Sequence, residues 1–218
     1  MKFKAVLFDL DGTLVDSLPD IGHALNLVLG RRGFPPHELE AYKFMVGDGS
    51  ETLVRRALPP DHRDQETAAA VLAGFTSVYR AACTQRTRPY DGIKDMIAGL
   101  AGRGLTLAVL SNKPQALTAL VAGHFFPERP FRVVFGAREG VPVKPDPQAA
   151  LEIAQMLGLA PADFLYLGDT SVDMRTARAA GMYGAGVSWG FRPREELIEH
   201  GARVIIDHPQ EAEGLVLG

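Results

Sequence analysis

Four short stretches of the chain carry the side chains best able to do chemistry. The first is Asp9-Leu10-Asp11-Gly12-Thr13, two carboxylates separated by one apolar residue and followed by a glycine and a hydroxyl. In an extended chain, alternation puts Asp9 and Asp11 on one side, ~7 Å apart, with Leu10 toward the core. Gly12 lets the backbone bend and offer amide hydrogens to an anion. The second stretch is Ser111-Asn112, ahead of Lys113-Pro114, whose hydroxyl and carboxamide can bind phosphate oxygens or cap the next helix. The third is Lys144, in the proline-rich loop Lys144-Pro145-Asp146-Pro147. The fourth, Gly168-Asp169-Thr170-Ser171-Val172-Asp173, sets two acids four residues apart where a helix begins. Each stretch alone has a plainer explanation: an Asp-Gly turn, a helix cap, a solvated loop lysine, acids facing a helix dipole. What weighs against four separate coincidences is that all four stretches fall at the ends of predicted strands.

Those strands are apolar runs rich in β-branched and aliphatic residues. Ala5 to Leu10, Leu105 to Leu110 and Phe164 to Leu167 are the strongest, and Arg132 to Phe135 and Met182 to Val187 are weaker. From residue 92 they alternate with helices predicted over Ile93 to Arg103, Pro114 to Gly123, Pro147 to Leu157 and Ser171 to Ala180. Such alternation predicts a doubly wound α/β fold, with a parallel sheet covered on both faces. Between Ser17 and about Thr87 the pattern changes. Leu18, Ile21, Leu25 and Val28 recur at helical spacing, Glu66 to Ala82 is alanine-rich, and no convincing strand occurs. The expected organisation is therefore an α/β core from residues 1–16 and 88–218, with an all-helical insertion over 17–87. In an open parallel sheet, ligands collect beyond the carboxyl ends of the strands, so residues that end strands are the informative ones.

Composition narrows the function. The 218 residues are 46% hydrophobic, enough for one substantial core and a smaller attached unit. Lys plus Arg number 23 against 26 Asp plus Glu, a formal charge of -3 with no basic arm, which argues against nucleic acid. No run approaches the ~18 apolar residues a membrane helix needs. The single cysteine, Cys83, excludes an internal disulfide, and the start is too short in apolar residues for a signal peptide, so a cytoplasmic location is expected.

As a set, DxDGT at Asp9 to Thr13, the serine Ser111, the lysine Lys144 and GDxxxD at Gly168 to Asp173 resemble the four motifs of the haloacid dehalogenase superfamily of phosphatases. The resemblance spans essentially the whole chain, and a helical insertion soon after the first motif matches the C1-capped branch. It implies a Rossmann-like core and a phosphatase acting on a small phosphorylated metabolite. Asp9 would be the nucleophile that forms an aspartyl-phosphate, and Asp11 the general acid and later base, its proton affinity raised by burial and by Asp9. Gly12, Thr13, Ser111, Asn112 and Lys144 would hold the phosphoryl oxygens. Asp9, Asp169 and the Asp11 carbonyl would bind Mg²⁺, with Asp173 supporting them. The charge balance agrees, since two like charges ~4 Å apart at an effective dielectric near 20 repel by about 4 kcal/mol, which one lysine cannot offset. A hard divalent cation with oxygen ligands can, whereas six scattered histidines and no cysteine pair give zinc little support.

The loop Val46-Gly47-Asp48-Gly49-Ser50 is the expected insertion loop over the site, with its two glycines permitting tight turns and a helix following at Glu51 to Leu58. As a mere helix-entry turn it would need no function. That loop, Ser188-Trp189-Gly190 and the tail at Gly201 to Asp207 look most like bacterial phosphoglycolate phosphatases, which implies 2-phosphoglycolate as substrate. Inorganic pyrophosphatase, nucleotide or sugar phosphatases and β-phosphoglucomutase of the same superfamily remain alternatives. So, outside it, do an aspartate-phosphorylated receiver domain and a catalytically silent binding protein. Monomer and homodimer are both compatible with the sequence.

Overall fold

The computed structural model describes residues 2–217. Its centre is a six-stranded, all-parallel sheet of β1 (Ala5–Phe8), β4 (Thr106–Pro114), β5 (Phe131–Ala137), β6 (Phe164–Gly168), β7 (Tyr183–Val187) and β8 (Val204–Ile206). The spatial order is β5-β4-β1-β6-β7-β8. Every residue of β1 and β6 is buried, as continuous apolar strands covered on both faces must be. Alternation divides them: Ala5, Leu7, Phe164 and Tyr166 pack on one face against α7 (Gln148–Leu157) and α8 (Ser171–Ala180). Val6, Phe8, Leu165 and Leu167 pack on the other, in the cluster that includes residues of α5 (Ile93–Gly102), α6 (Gln115–Phe125) and α10 (Glu211–Leu217). Burying a side chain such as Phe8 or Leu165 fully contributes about 1.5–3 kcal/mol, and these central strands supply many of them. The short helix α9 (Arg194–Glu199) follows β7.

Between β2 (Val15–Asp16) and β3 (Arg88–Pro89) lie four helices: α1 (Leu18–Arg31), α2 (Leu39–Tyr42), α3 (Ser50–Ala57) and α4 (Gln65–Ala82). The chain leaves and re-enters the sheet region side by side, because β2 and β3 pair antiparallel at Val15↔Pro89 and Asp16↔Arg88. Asp20 secures this double crossing. Fully buried in α1, its carboxylate accepts from the amides of Arg86 and Thr87 and from the Thr87 hydroxyl, all at 2.8–3.1 Å. Across the helices, α1 and α4 pack along their apolar faces, Leu25 and Val28 with Val71 and Phe75 among the buried residues. Among the described residues no helix is long and apolar enough to cross a membrane.

The doubly wound class is as the sequence predicts, and α1 to α4 fall within the stretch read as helical. Helix α8 has the predicted bounds, fixed by a capping box in which Thr170 and Asp173 satisfy each other's backbone amides and by the left-handed Gly181 at its end. Differences lie in short elements and in strand ends. The two-residue β2 and β3, the edge strand β8 and the helices α9 and α10 lie below the length at which periodicity is readable. Strand β4 runs four residues past the predicted end, through Ser111-Asn112-Lys113 to Pro114.

Candidate active site

The strand order reverses at β1, whose neighbours β4 and β6 connect in opposite directions, so a crevice opens beyond the carboxyl ends of these three strands. The chemistry-bearing stretches meet there. Asp9, Asp11, Ser111 and Lys113 line one cleft together with Gly47 and Tyr79 of the helical segment, around a cavity of about 50 Å³. At about 10–15 Å³ per water that is room for only a few, which suits a small substrate.

Asp9 is held with one oxygen occupied. Oδ1 accepts from its neighbour's amide, Leu10, at 2.7 Å and from Lys144 Nζ at 2.9 Å, while Oδ2 has no hydrogen bond among the described residues. Lys144 is buried and also donates to Asp173 Oδ1 at 2.7 Å and to the Leu110 carbonyl at 3.1 Å. Asp173 is saturated in turn by the Tyr166 hydroxyl at 3.1 Å and by Thr170, whose hydroxyl and amide approach at 2.7 and 3.1 Å. Asp169 accepts from the Thr13 hydroxyl and from the Phe191 amide, both at 2.9 Å.

Asp9, Asp169 and Asp173 each bring a carboxylate oxygen within 4.8 Å of the others, a buried group able to hold a metal ion. The cluster is short of positive charge. Burial, reinforced by Asp173, pushes the Asp9 carboxyl up to about 7 despite Lys144. Burial together with Asp9 and Asp173 lifts Asp169 well above the ordinary carboxylate range, and its two hydrogen bonds do not reverse this. Desolvated carboxylates with like neighbours are the donor set a hard divalent cation satisfies. Asp173, its oxygens already taken, suits a supporting place beside such an ion.

The surroundings leave Asp169 no freedom. A Cβ on Gly12, where φ is +88°, would stand 2.1 Å from Asp169 Oδ2. One on Gly190 would stand 2.2 Å from Asp169 Cβ and 2.5 Å from the Gly12 carbonyl. The loop after β7 thus closes on the first motif, and Trp189 Nε1 donates to the Thr13 carbonyl at 3.0 Å. Trp189 packs against the core, but Gly190 and the Phe191 amide were not legible as site residues. The only signal was the Ser188-Trp189-Gly190 tripeptide after the last long strand.

Several sequence expectations are corrected. Asp9 and Asp11 do not share a strand face by alternation, because β1 ends at Phe8 and both acids lie in the turn beyond it. The Gly12 amide is turned to the Val15 carbonyl at 2.9 Å rather than toward a bound anion. Thr13 is fully buried with its hydroxyl given to Asp169, so its side chain orients that acid. Asn112 lines the cleft, but its carboxamide is committed to backbone groups. Its Oδ1 accepts from the Lys144 amide at 2.8 Å, and its Nδ2 donates to the Lys144 and Gly47 carbonyls at 2.9 Å each. Nor do Ser111 and Asn112 cap a helix, since α6 begins only at Gln115. In the Val46–Ser50 loop, Gly47 and Gly49 line the cleft, but Asp48 pairs with Arg56 at 2.7 Å and faces a separate surface groove. Arg56, exposed at the surface, makes that pair and donates to the Met45 carbonyl.

Lys113 is the side chain the sequence reading passed over. Its Nζ meets both oxygens of Asp11 at 2.6 Å, and the pair is nearly buried. Burial works against the ammonium, but Asp11 and Tyr79 outweigh it and hold Lys113 above the ordinary lysine range. The strongest neighbour of Asp11 is therefore this lysine rather than Asp9. Nothing in the pattern SNKP distinguishes Lys113 from a surface lysine; only the extra length of β4 carries it inward.

Acids at the ends of the first and fourth long strands, with a buried lysine between them and helices over the opening, define a phosphohydrolase-type site. Residues 6–187 match the family model of the haloacid dehalogenase-like hydrolases, and the chain belongs to that family. Among its relatives, it is 36% identical over 213 residues to a phosphoglycolate phosphatase of Pseudomonas putida, covering 94% of this chain and 76% of the relative. It is 32% identical to the N-acetylmuramic acid 6-phosphate phosphatase of Pseudomonas aeruginosa, covering 97% and 93% of the two chains. A crystal structure from Lactobacillus delbrueckii subsp. bulgaricus, named as a candidate phosphoglycolate phosphatase, superposes with a TM-score of 0.94 at 32% identity over the whole of both chains.

Proposed function

We propose that this phosphatase takes the phosphoryl group of a small metabolite, 2-phosphoglycolate foremost, onto Asp9 and passes it to water. The observation that carries the reading is the state of Asp9: one oxygen pinned by Leu10 and Lys144, the other free, at the edge of a small cleft. In the first step Asp9 Oδ2 bonds to phosphorus as the ester P–O bond breaks, and the leaving oxygen takes a proton from Asp11. In the second, Asp11 takes a proton from the water that attacks phosphorus, and the Asp9–phosphorus bond breaks. Splitting the displacement in two avoids one very high barrier. Lys144 and the Ser111 hydroxyl hold phosphoryl oxygens as charge develops on them. Mg²⁺ held by Asp9, Asp169 and the Asp11 carbonyl, with Asp173 steadying them, would offset the remaining negative charge. In this scheme residues 1–16 and 88–218 are the catalytic core, and 17–87 are a cap that excludes water and selects the leaving group.

Phosphoglycolate is favoured by the named activity of several relatives about 35% identical to the chain. One observation supports a second substrate, N-acetylmuramic acid 6-phosphate: the relative named for it matches over 93% of its length, against 76% for the first. The test is turnover by purified protein with Mg²⁺ on both compounds, pyrophosphate and nucleoside monophosphates side by side. Phosphoglycolate is expected to give the highest kcat/KM, and a sugar phosphate in first place would remove the narrower assignment. Asp9→Asn is expected to abolish phosphate release from every substrate; near-normal turnover in that variant would overturn the nucleophile itself.

A further inference from the structure

Two polar groups of the cleft have no part in the steps above. The Lys113 side chain is 4% exposed, and two of its three ammonium hydrogens are taken by Asp11 at 2.6 Å, leaving a third. Its Nζ lies 5.0 Å from the ring centre of Tyr79 on α4. Tyr79 is 2% exposed, and its hydroxyl, whose polar neighbour is Lys113, makes no well-formed hydrogen bond, an arrangement that costs free energy unless something arrives to satisfy it. The remaining wall on the helical side is mostly apolar, from Ile21, Leu53 and Phe75, with Ser50 its one other polar side chain. One cation and one phenol, set beside the apolar part of the helical wall, are the donors a carboxylate needs.

Reach fixes where on the substrate that carboxylate must be. To hand over a proton, Asp11 comes within about 2.7 Å of the ester oxygen. Lys113 Nζ is 2.6 Å from both Asp11 oxygens, which keeps it within about 5.3 Å of the ester oxygen. A carboxyl carbon two bonds from the ester oxygen lies about 2.4 Å away and its oxygens about 2.7–3.6 Å away, so a hydrogen bond to Nζ closes. A carboxylate many bonds distant has no such fixed reach.

We propose that Lys113, with Tyr79, is the specificity-determining pair of this phosphatase and seats a carboxylate borne on the carbon next to the ester oxygen. The assignment rests on the phosphatase reading and deepens its substrate class, the phosphates of 2-hydroxy acids.

The experiment compares matched pairs that differ only in carboxylate against methyl: 2-phosphoglycolate with ethyl phosphate, and 2-phospholactate with isopropyl phosphate. Wild-type protein is expected to prefer the acid of each pair in kcat/KM. Lys113→Met is expected to shrink that preference by about tenfold or more, since a site built for a polar group discriminates strongly only while its partner is present. Tyr79→Phe removes a hydroxyl that makes no well-formed hydrogen bond in the fold, so it tests the idea should Lys113→Met fail to fold, and a several-fold smaller preference is expected. Preferences unchanged in the folded variants would overturn the assignment while leaving 2-phosphoglycolate as the substrate. If another compound proves the best substrate but the matched-pair preference still collapses in the variants, the Lys113 assignment holds and the phosphoglycolate reading falls.

Discussion

Asn112 offers the sharpest test of how the site is built, because its two readings, phosphate ligand and loop clamp, predict opposite results for stability. Its carboxamide makes three buried hydrogen bonds, to the Lys144 amide and to the Lys144 and Gly47 carbonyls. A net 0.5–1.5 kcal/mol for each, with three backbone groups left unpaired on removal, gives a cost of about 2–4 kcal/mol for Asn112→Ala. In a chain of this size that lowers Tm by roughly 5–15 °C. Lys144 loses its backbone anchor and drifts from Asp9, for which a fall in kcat of about 10–100-fold is expected. Asn112→Asp should be worse still, since a carboxylate can accept from the Lys144 amide but must face two carbonyl oxygens. Differential scanning calorimetry and steady-state kinetics on the same preparations decide it. If Asn112→Ala loses activity with Tm within a degree of the parent, the side chain acts on substrate and the clamp is wrong.

Two further outcomes follow from the same geometry. Gly190→Ala puts a methyl 2.2 Å from Asp169 Cβ and 2.5 Å from the Gly12 carbonyl, neither able to yield, so a loss of more than about 100-fold in kcat/KM is expected with the sheet intact by circular dichroism. For metal-free protein, the raised Asp9 and Asp169 carboxyls bind protons that the unfolded chain releases near its ordinary value of 3.8. Stability therefore falls as pH rises from about 4 toward 7, and Mg²⁺ should raise Tm more at pH 7.5 than at pH 5. Thermal scans showing a metal-free Tm that climbs over that interval would contradict the charge balance described for the cluster.

Much of this protein is local in origin and therefore readable along the chain. The continuous apolar runs of β1 and β6, the helical spacing from Leu18 to Val28 and the capping residues of α8 act over a few neighbours, and each appears where its pattern points. The same holds for Asp9, Asp11 and Asp169, because their places just past strand ends follow from the strands, whereas Lys144 lies in the loop between β5 and α7. Short elements such as β2, β8 and α9 carry too few residues to show a period and exist through pairing or packing.

Partner choice inside the site is a different matter. Asn112 and Lys144 are 32 residues apart, Thr13 and Asp169 are 156, and Lys113 and Asp11 are 102. Which of them touches substrate and which serves another side chain depends on angstrom-scale distances across the sheet edge. The amino-acid order determined the sheet, the helical insertion and the set of chemical groups, because hydrophobic period and turn chemistry are properties of adjacent residues. Only the folded arrangement decided that Thr13 and Asn112 brace the site while Lys113 faces into it, since a hydrogen bond forms or fails over less than an ångström and no local pattern encodes that.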